Sequence, residues 1–411
     1  MKVAIINRSD IKGGAAIFTY RLMNALRAQG VDATMLVCDA MDRAPHVVDY
    51  AHSLMDRYHF LAERMQIWCN NGFSREHLFK VDTADWGRDL SSHPVVREAD
   101  AIILNWINQG ALSLRSVHRL CSMGKPVVWT MHDMWNCTGI CHHAYDCDHY
   151  KQACGECVYL NSHNAYDLSH RSWCKKKALY AAPNLHFVSV SNWLAEKCAG
   201  SSLLGDKSVT VIPNSVPVDD FATKRLPNAH YNIPSHCKVL ALGAARLDDP
   251  VKGFDLLIGV TERLCALYPQ HKENVHLLLF GDIRDASLLD KIAIPYTHLG
   301  SVAPDKVSDI LMHSDVLLST ALYESFGGTL VEGQAAGCVP VTFGSGGQVD
   351  IVQHKRNGYV AEFKSCDDFA RGIDWAINCG LERDFLHNEV VRRFSPEVVS
   401  REYIALLEKL L

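Results

Sequence analysis

Two carboxylates and a pair of glycines stand close together after an apolar run that ends at Ser319. Glu324 precedes Gly327 and Gly328, and Glu332 follows in a stretch that is otherwise small and apolar. Glycines at a helix start leave backbone N–H groups open to an anion such as phosphate. A carboxylate among small residues needs a partner, and a pair of ribose hydroxyls is a good one. The segment therefore indicates a nucleotide site, the alternative being a helix-capping Glu324 and a surface Glu332.

Two cations also follow an apolar run, earlier in the chain than the two carboxylates. Arg246 closes an apolar run that begins at Lys238, and Lys252 stands before Gly253 at the start of an amphipathic segment. In open α/β sheets, ligands bind at the carboxyl ends of the strands. Two cations that converge there can neutralise a departing pyrophosphate. Each cation considered alone would be a solvated surface charge.

Cysteine is the unusual residue of this composition, with 15 in the chain. Cys154 and Cys157 have the C-x2-C spacing of a zinc knuckle, and Cys141 and Cys147 lie close enough in sequence to complete four thiolate ligands. We therefore predict a structural zinc, or another thiolate-bound metal, at these four positions. Free thiols and a labile disulfide are the alternatives. The spacing also leaves other ligands open, namely Cys137, His142, His143 and His149.

Charge and hydropathy exclude several classes of function. Lys and Arg number 41 against 46 Asp and Glu, so the net charge of −5 gives no attraction to nucleic acid. No apolar run approaches the roughly 20 residues of a membrane helix, and the first residues lack a signal peptide, so we expect a cytoplasmic protein. A basic stretch at residues 171–177 is a candidate for contact with the inner face of a membrane or with an anionic lipid-linked acceptor, the alternative being a solvated helix face.

The elements that must position these residues follow the pattern of parallel βαβ units, because short apolar runs alternate with amphipathic segments. Two series of strands are predicted, at 3–7, 33–38, 101–104, 126–131 and 185–190, and then at 238–243, 275–280, 297–300, 315–319 and 339–343. The proline-containing segment 209–237 is interpreted as a linker. Ser395 and Pro396 predict the start of a closing helix.

These observations predict an α/β chain with two domains. The first covers residues 1–215, carries a cysteine-rich insertion at 134–160 and is completed by the closing helix at 395–411. The second covers residues 236–394.

In order and spacing, the residues resemble the E-x7-E signature of retaining GT-B glycosyltransferases of the group-1 type, which assemble polysaccharides and lipopolysaccharides. The resemblance runs over nearly the whole chain. In the second half it rests on Arg246, Lys252-Gly253, Glu324-Ser325-Phe326-Gly327, Glu332, Ala336-Gly337 and Pro340-Val341. In the first half it rests on Gly13-Gly14-Ala15, His132-Asp133, Ser189, Ser191 and Ile212-Pro213-Asn214.

The resemblance implies two Rossmann-like domains that face each other across a cleft, with a sugar nucleotide held mainly by the second. In that domain it implies that Arg246 and Lys252 hold the diphosphate and that Glu332 binds the ribose. Glu324 matches the carboxylate beside the donor sugar. The backbone amides that complete the phosphate site match Phe326, Gly327 and Gly328.

In the first domain, the resemblance implies that the loop at Gly13 and Gly14 approaches the phosphates and the acceptor. It also implies that His132 contacts the transferred sugar. The chain departs from the common pattern at Gly333-Gln334, where the family usually has Ala-Met, and in its cysteine-rich insertion.

The implied activity is that of a hexosyltransferase with no cofactor needed for catalysis. A sugar would pass from a UDP- or GDP-type nucleoside-diphosphate sugar to a glycan or lipid-linked saccharide with retention of configuration, in bacterial surface polysaccharide synthesis. The alternatives are a sugar-nucleotide epimerase or another nucleotide-sugar enzyme of the same fold, a dinucleotide-binding oxidoreductase, and a metal-binding regulator without catalysis. Against the oxidoreductase, the first glycine loop lacks the G-x-G-x-x-G spacing.

Overall fold

The computed structural model describes residues 1–42, 44–51 and 53–411, and the chain divides into two compact units. The first unit contains Met1–Ser215 and Pro396–Leu411, and the second contains Val216–Ser395. Each unit is built on one parallel sheet flanked by helices. The predicted α/β fold class is therefore confirmed.

The strands of the first unit are short and almost wholly apolar, as expected of parallel strands buried on both faces. In KVAII, the sequence of the first strand, only the lysine is exposed. The strands are β1 (Lys2–Ile6), β2 (Asp32–Val37), β3 (Val47–Asp49), β4 (Ala101–Leu104), β5 (Val127–Met131), β6 (Leu185–Ser189) and β7 (Val209–Val211). The helices between them are α1 (Gly14–Ala28), α2 (Ser53–Asn70), α3 (Pro94–Glu98), α4 (Leu114–Cys121), α5 (Leu168–Leu179) and α6 (Asn192–Ala199).

The strand order of this sheet is β3-β2-β1-β4-β5-β6-β7. Val3 of β1 is in register with Ala33 on one side and Ala101 on the other. The order reverses between β1 and β4, and in doubly wound sheets ligands bind beside such a reversal, at the carboxyl ends of the strands. The loops that follow β1, β4 and β5 are therefore the candidates for function in this unit.

The second unit repeats the same plan with a smaller sheet, in the order β10-β9-β8-β11-β12-β13. Its strands are β8 (Lys238–Arg246), β9 (Val275–Asp282), β10 (Tyr296–His298), β11 (Val316–Ser319), β12 (Val339–Phe343) and β13 (Tyr359–Ala361). Its helices are α7 (Phe254–Leu267), α8 (His271–Asn274), α9 (Pro304–His313), α10 (Gly328–Ala335), α11 (Gln348–Ile351), α12 (Cys366–Asn378) and α13 (Arg383–Phe394). Here the order reverses between β8 and β11.

The closing helix α14 (Pro396–Leu410) begins at the proline where the sequence predicts it and belongs to the first unit. Its Val399, Tyr403 and Leu407 are buried in the same core as Val3 and Ile5 of β1. The last helix therefore completes the core that the first strand begins.

Three short strands were not predicted, namely β3, β7 and β13. Each has three residues and lies at the edge of its sheet, where one neighbouring strand suffices and little apolar sequence is needed. The interpretation of 209–237 as linker is wrong at its start, because β7 pairs in register with Phe187, Val188 and Ser189 of β6.

Candidate functional site

The turn between β8 and α7 is hydrogen-bonded to the loop after β11. Gly253 has φ of 65°, and a Cβ there would lie 2.2 Å from the carbonyl oxygen of Thr320, so only glycine fits. The Thr320 hydroxyl donates to the carbonyl of Lys252 at 2.9 Å, and the N–H of Leu322 donates to the carbonyl of Val251 at 2.8 Å. These contacts bring together two segments that are about 70 residues apart in sequence.

The hydrogen bonds between these two segments place Lys252 against Glu324. The Lys252 Nζ lies 2.7 Å from Glu324 Oε2, and both side chains are partly buried. The charge of Glu324 raises the pKa of Lys252, so Lys252 stays protonated at neutral pH. The structure thus brings together Lys252, which is predicted to hold the diphosphate, and Glu324, which is predicted to lie beside the donor sugar. They meet at the point where the strand order reverses.

Arg246 ends β8 at the same edge of the sheet. Its guanidinium lies 3.4 Å from Asp248 Oδ1 and 3.3 Å from Asp249 Oδ2, which are long contacts for ion pairs. The atom that faces Asp248 is the buried Nε, and neither Nε nor Asp248 Oδ1 makes a hydrogen bond among the described residues. Arg246 is therefore held near two carboxylates by long contacts only.

The start of α10 has the geometry expected of a phosphate-binding turn. Gly327 has φ of 104° and precedes Gly328, the first residue of the helix. In the described part of the chain, no side chain caps the first turn of α10, so its N–H groups face outward from the helix end. Phe326 is buried against Phe394, at 5.9 Å between ring centroids, and anchors the turn. Glu332 is partly buried in the second turn of α10.

Gln348 organises this site and was not found from the sequence. Its Oε1 accepts hydrogen bonds from the hydroxyls of Ser319 at 2.5 Å and Thr342 at 2.7 Å. Its Nε2 donates to the carbonyls of Ala321 and Ser345. One fully buried amide thereby ties the ends of β11 and β12 to the loop that carries Glu324.

In the first unit, His132 follows β5 and faces Asn105, which follows β4. His132 Nε2 and Asn105 Oδ1 are 2.9 Å apart, so with this amide assignment Nε2 carries the proton and Nδ1 is the acceptor. Burial lowers the pKa of His132 to about 4, which makes the ring neutral at physiological pH. Asn105 Nδ2 is buried without a hydrogen-bond partner among the described residues and is a free donor beside the ring.

The neighbouring Asp133 belongs to a network of charges that the sequence did not reveal. His142 Nδ1 lies 2.8 Å from Asp133 Oδ2, and His142 Nε2 lies 2.7 Å from Asp82 Oδ2. Despite burial, the two carboxylates raise the pKa of His142 to about 10, and the pKa of Asp133 falls to about 2 although burial opposes its ionisation. Both ring nitrogens of His142 are engaged, which removes this residue from the alternative metal ligands. Trp106 Nε1 also donates to Asp133 Oδ2, at 3.2 Å.

The glycine loop after β1 is open toward its surroundings. Gly13 has φ of 93°, and a Cβ built at Gly13 or Gly14 would meet no described atom within 4 Å. The loop is held by Asp10, a fully buried carboxylate that accepts hydrogen bonds from the N–H groups of Ile11, Met41 and Asp42. The structure leaves space above the glycines where a ligand can approach the backbone.

Four of the cysteines in the insertion line one cavity: Cys141, Cys147, Cys154 and Cys157. They are free thiols. Burial raises the pKa of Cys154 to about 11 and that of Cys157 to about 12. Within residues 1–42, 44–51 and 53–411, no three His, Cys, Asp or Glu side chains are arranged around one point as metal ligands, so the zinc site stays a prediction.

In the basic stretch 171–177 only Lys176 turns inward, while Arg171, Lys175 and Lys177 are exposed. Lys176 is fully buried, with its Nζ 3.3 Å from the ring centroid of Trp135. Lys175 pairs with Asp85, and Lys177 donates to the carbonyl of Ser202. The stretch therefore offers a membrane less free charge than the sequence suggested. In the part of the chain that is described, no helix has the length and hydrophobicity needed to cross a bilayer.

Family models match both units. Residues 12–220 match glycosyltransferase family 4, and residues 238–390 match glycosyl transferases group 1.

Curated relatives share shorter stretches with the chain. The GPI3 subunit of phosphatidylinositol N-acetylglucosaminyltransferase from Saccharomyces cerevisiae is 26% identical over 252 residues, which are 57% of this chain and 54% of the relative. The putative colanic acid biosynthesis glycosyl transferase WcaC from Escherichia coli is 30% identical over 145 residues, or 32% of this chain and 35% of that protein. The chain thus spans about half the length of the first of these relatives and a third of the second.

Solved structures share the fold. A glycosyltransferase from Rickettsia africae has a TM-score of 0.67 at 14% identity, covering 100% of this chain and 98% of that one. HepE from Anabaena, solved in complex with UDP-glucose, has a TM-score of 0.61 at 14% identity over 100% of both chains. At such identities the likeness establishes the fold, which is GT-B with two Rossmann-like domains.

Proposed function

Because the chain belongs to glycosyltransferase family 4 and carries a group 1 glycosyl transferase segment in its second unit, we propose that it transfers a sugar from a nucleoside-diphosphate sugar. The observation that carries the proposal is the Lys252–Glu324 pair at the reversal of strand order in the second sheet. Arg246, at the end of β8, and the uncapped start of α10 lie at the same edge. Cations and helix-end amides together are suited to a diphosphate leaving group.

In the proposed reaction, the bond between the anomeric carbon and the diphosphate oxygen breaks. The acceptor hydroxyl forms a new bond to that carbon on the same face, and its proton passes to the departing diphosphate. Arg246, Lys252 and the first amides of α10 neutralise the negative charge of the leaving group, and configuration is retained. No described side chain is assigned as a covalent nucleophile.

Glu324 has two roles in this proposal. In the free protein it balances the charge of Lys252. When a diphosphate engages Lys252, the carboxylate is released toward the donor sugar, where it accepts sugar hydroxyls. Glu332, in α10, binds the ribose hydroxyls.

The first unit contributes the acceptor side. Neutral His132 with its free Nδ1, and Asn105 with its free Nδ2, provide one acceptor and one donor for sugar hydroxyls. The open loop at Gly13 and Gly14 allows backbone amides to approach the ligand. We propose a glycan or lipid-linked saccharide as the acceptor, in the synthesis of a bacterial surface polysaccharide.

Calorimetric titration of the full chain with UDP, GDP and ADP tests the donor site. We expect UDP or GDP to bind, with UDP tested first because HepE was solved with UDP-glucose. Glu332→Ala should weaken binding about tenfold through loss of the ribose contacts, whereas Glu262→Ala, an exposed carboxylate on α7, should leave it unchanged. Failure of all three nucleotides to bind would overturn the proposal.

Product analysis separates the rival activities. Incubation with a UDP-sugar and a saccharide acceptor, followed by NMR, should show a new glycosidic bond with the anomeric configuration of the donor. An epimerised sugar nucleotide would favour the epimerase instead.

A further inference from the structure

The cysteine-lined cavity in the first unit has a composition that the transferase reaction does not use. Cys141, Cys147, Cys154 and Cys157 all face it, and its other walls include apolar groups of Ile140, Ala144 and Val158. Such walls give buried thiols few hydrogen-bond acceptors, while four sulfurs in one place form the donor set that zinc prefers. We propose that these four cysteines bind one zinc ion as thiolates, and that the resulting anionic cluster is the counter-charge of the buried Lys176.

A backbone N–H group already points at one of the sulfurs. The N–H of Gly139 donates to Cys154 Sγ at 3.2 Å. A hydrogen bond of this kind stabilises a negative sulfur and orients it toward a metal.

Lys176 is the second, independent observation. It is fully buried, and its ammonium group is held by the carbonyls of Trp135 and Thr138 and by the face of the Trp135 ring. Among the ion pairs of the described residues, none includes Lys176, so its positive charge has no carboxylate in contact. A buried cation without a counter-charge is costly. Burial lowers the pKa of Lys176 to about 7, and ionised Cys154 and Cys141 oppose this shift. Four thiolates around Zn²⁺ carry a net charge of −2, which would hold Lys176 in its charged form.

The same geometry sets aside the other candidate ligands. Cys137 is buried, donates to the carbonyl of Met134 and does not line the cavity. His142 is engaged at both nitrogens. His149 lines the cavity, but its Nδ1 lies 2.8 Å from the carbonyl oxygen of Gly155, so it is an outer neighbour in this assignment.

Binding requires the sulfurs to close around one point, because no three donors among the described residues surround one now. Rotation about the Cα–Cβ bond moves a sulfur within its own rotamers, and Zn–S bonds of about 2.3 Å define the end point. The insertion between β5 and α5 has only two 3-10 turns, Met134–Cys137 and His149–Lys151, so a metal would supply order that secondary structure does not.

The test is the metal content of the full chain, purified without chelators from cells given zinc. We expect about one zinc per chain by elemental analysis. A mercurial that titrates thiols should release it, detected with a zinc-sensitive dye. Cobalt substitution should give the thiolate charge-transfer and d–d bands of a tetrahedral site.

Variants identify the ligands and the counter-charge. Cys154→Ser with Cys157→Ser should lose the zinc, whereas the exposed pair Cys69→Ser with Cys174→Ser should keep it. Lys176→Met should release zinc to a chelator about tenfold faster than wild type, with Lys177→Met as the matched control.

Two results would overturn the assignment. Less than about a tenth of an equivalent of zinc in the wild-type chain would remove the site, and this measurement does not depend on the folding of any variant. Iron in place of zinc would show that the proposed metal is wrong.

Discussion

Two histidines close to the end of β5 have opposite charge states for identifiable reasons. Burial of the His132 ring, which pairs with the neutral amide of Asn105, outweighs the nearby charge of Asp133, so the pKa of His132 falls to about 4. His142 lies between two carboxylates, and its pKa rises to about 10. A neutral His132 can exchange hydrogen bonds with a sugar without carrying charge into the site. The cationic His142 fixes the orientation of Asp133, the residue that directly follows His132.

His132 should make the first unit sensitive to mild acid. Its folded pKa lies below the ordinary value of 6.5, so its contribution to stability is present above pH 6.5 and is lost as the pH falls toward 4. Between pH 7 and 5, wild type should lose about 2 kcal/mol more stability than His132→Asn. Native-state hydrogen exchange of the β5 amides measures this, with exposed His163→Asn as control. Equal losses in wild type and His132→Asn would show that His132 is not the sensitive group.

Removing the charge of Glu324 should separate binding from transfer. In Glu324→Gln, Lys252 loses its ionic partner and becomes available to a diphosphate, so UDP affinity should hold or rise. Sugar transfer should fall at least about tenfold, because the carboxylate beside the donor sugar is gone. Calorimetry and a transfer assay measure the two effects, with Glu262→Gln as control. A loss of UDP affinity comparable to that of Glu332→Ala would contradict these roles.

The sequence could identify residues that follow strand ends, because a parallel sheet brings those ends to one edge. This is how Arg246, Lys252 and Glu324 were found. Gln348 and Asp82 were missed because each is recognisable only by partners that include distant residues: Gln348 meets Ser319 at a separation of 29 positions, and Asp82 meets His142 at a separation of 60. A polar residue in a loop carries no local signal of such a contact.

The β8–α7 turn shows how one residue shapes an element. Gly253 combines a positive φ with a carbonyl oxygen in the place of its missing Cβ. Gly380 has nearly the same φ, 66°, but a Cβ there would meet no described atom within 4 Å. Comparing substitutions at these two glycines therefore distinguishes the effect of backbone strain, which both share, from the effect of steric contact, which only Gly253 has.

Gly253→Ala should destabilise the second unit by about 2 kcal/mol more than Gly380→Ala, because only the former pushes against Thr320. It should also weaken UDP binding, since the turn positions Lys252. Hydrogen exchange of the β8 amides and calorimetry measure the two effects. If the two alanine variants behave alike, the steric contact has no energetic role.

Elements were predictable where apolar runs were long. Strands such as β4 and β9 coincide with continuous apolar sequence, whereas β3, β7 and β13 have three residues each and gain their structure from a neighbouring strand. The insertion between β5 and α5 was recognised as unusual because of its cysteines. Its contacts with Lys176 were not foreseen, since a lysine in a basic stretch is normally solvated.

For the whole chain, the two series of strands and the closing helix were sufficient to predict a two-domain α/β protein. In the structure the first unit is discontinuous in sequence, since α14 belongs to it although the whole second unit lies between them in the chain. The contact is specific: the Tyr403 hydroxyl lies 2.9 Å from the Thr130 hydroxyl of β5.

Leu407→Ala should destabilise the first unit by about 2–5 kcal/mol, because a fully buried side chain is removed from its core. Hydrogen exchange should speed up in β1 and β5 and stay unchanged in β8 and β9. Leu411→Ala, at an exposed position, is the matched control. Equal acceleration in both units would show that they do not unfold separately.

The return of α14 also bears on how the chain folds while it is being synthesised. The ribosome delivers Val3 and Ile5 first and Tyr403 and Leu407 some 400 residues later, yet all four share one core. Until residues 396–411 emerge, the nascent first unit has an uncovered apolar face, while residues 216–395 contain a whole unit of their own. The half of the protein that is made first is therefore the half that can complete its core only at the end of synthesis, and until then its apolar face stays exposed.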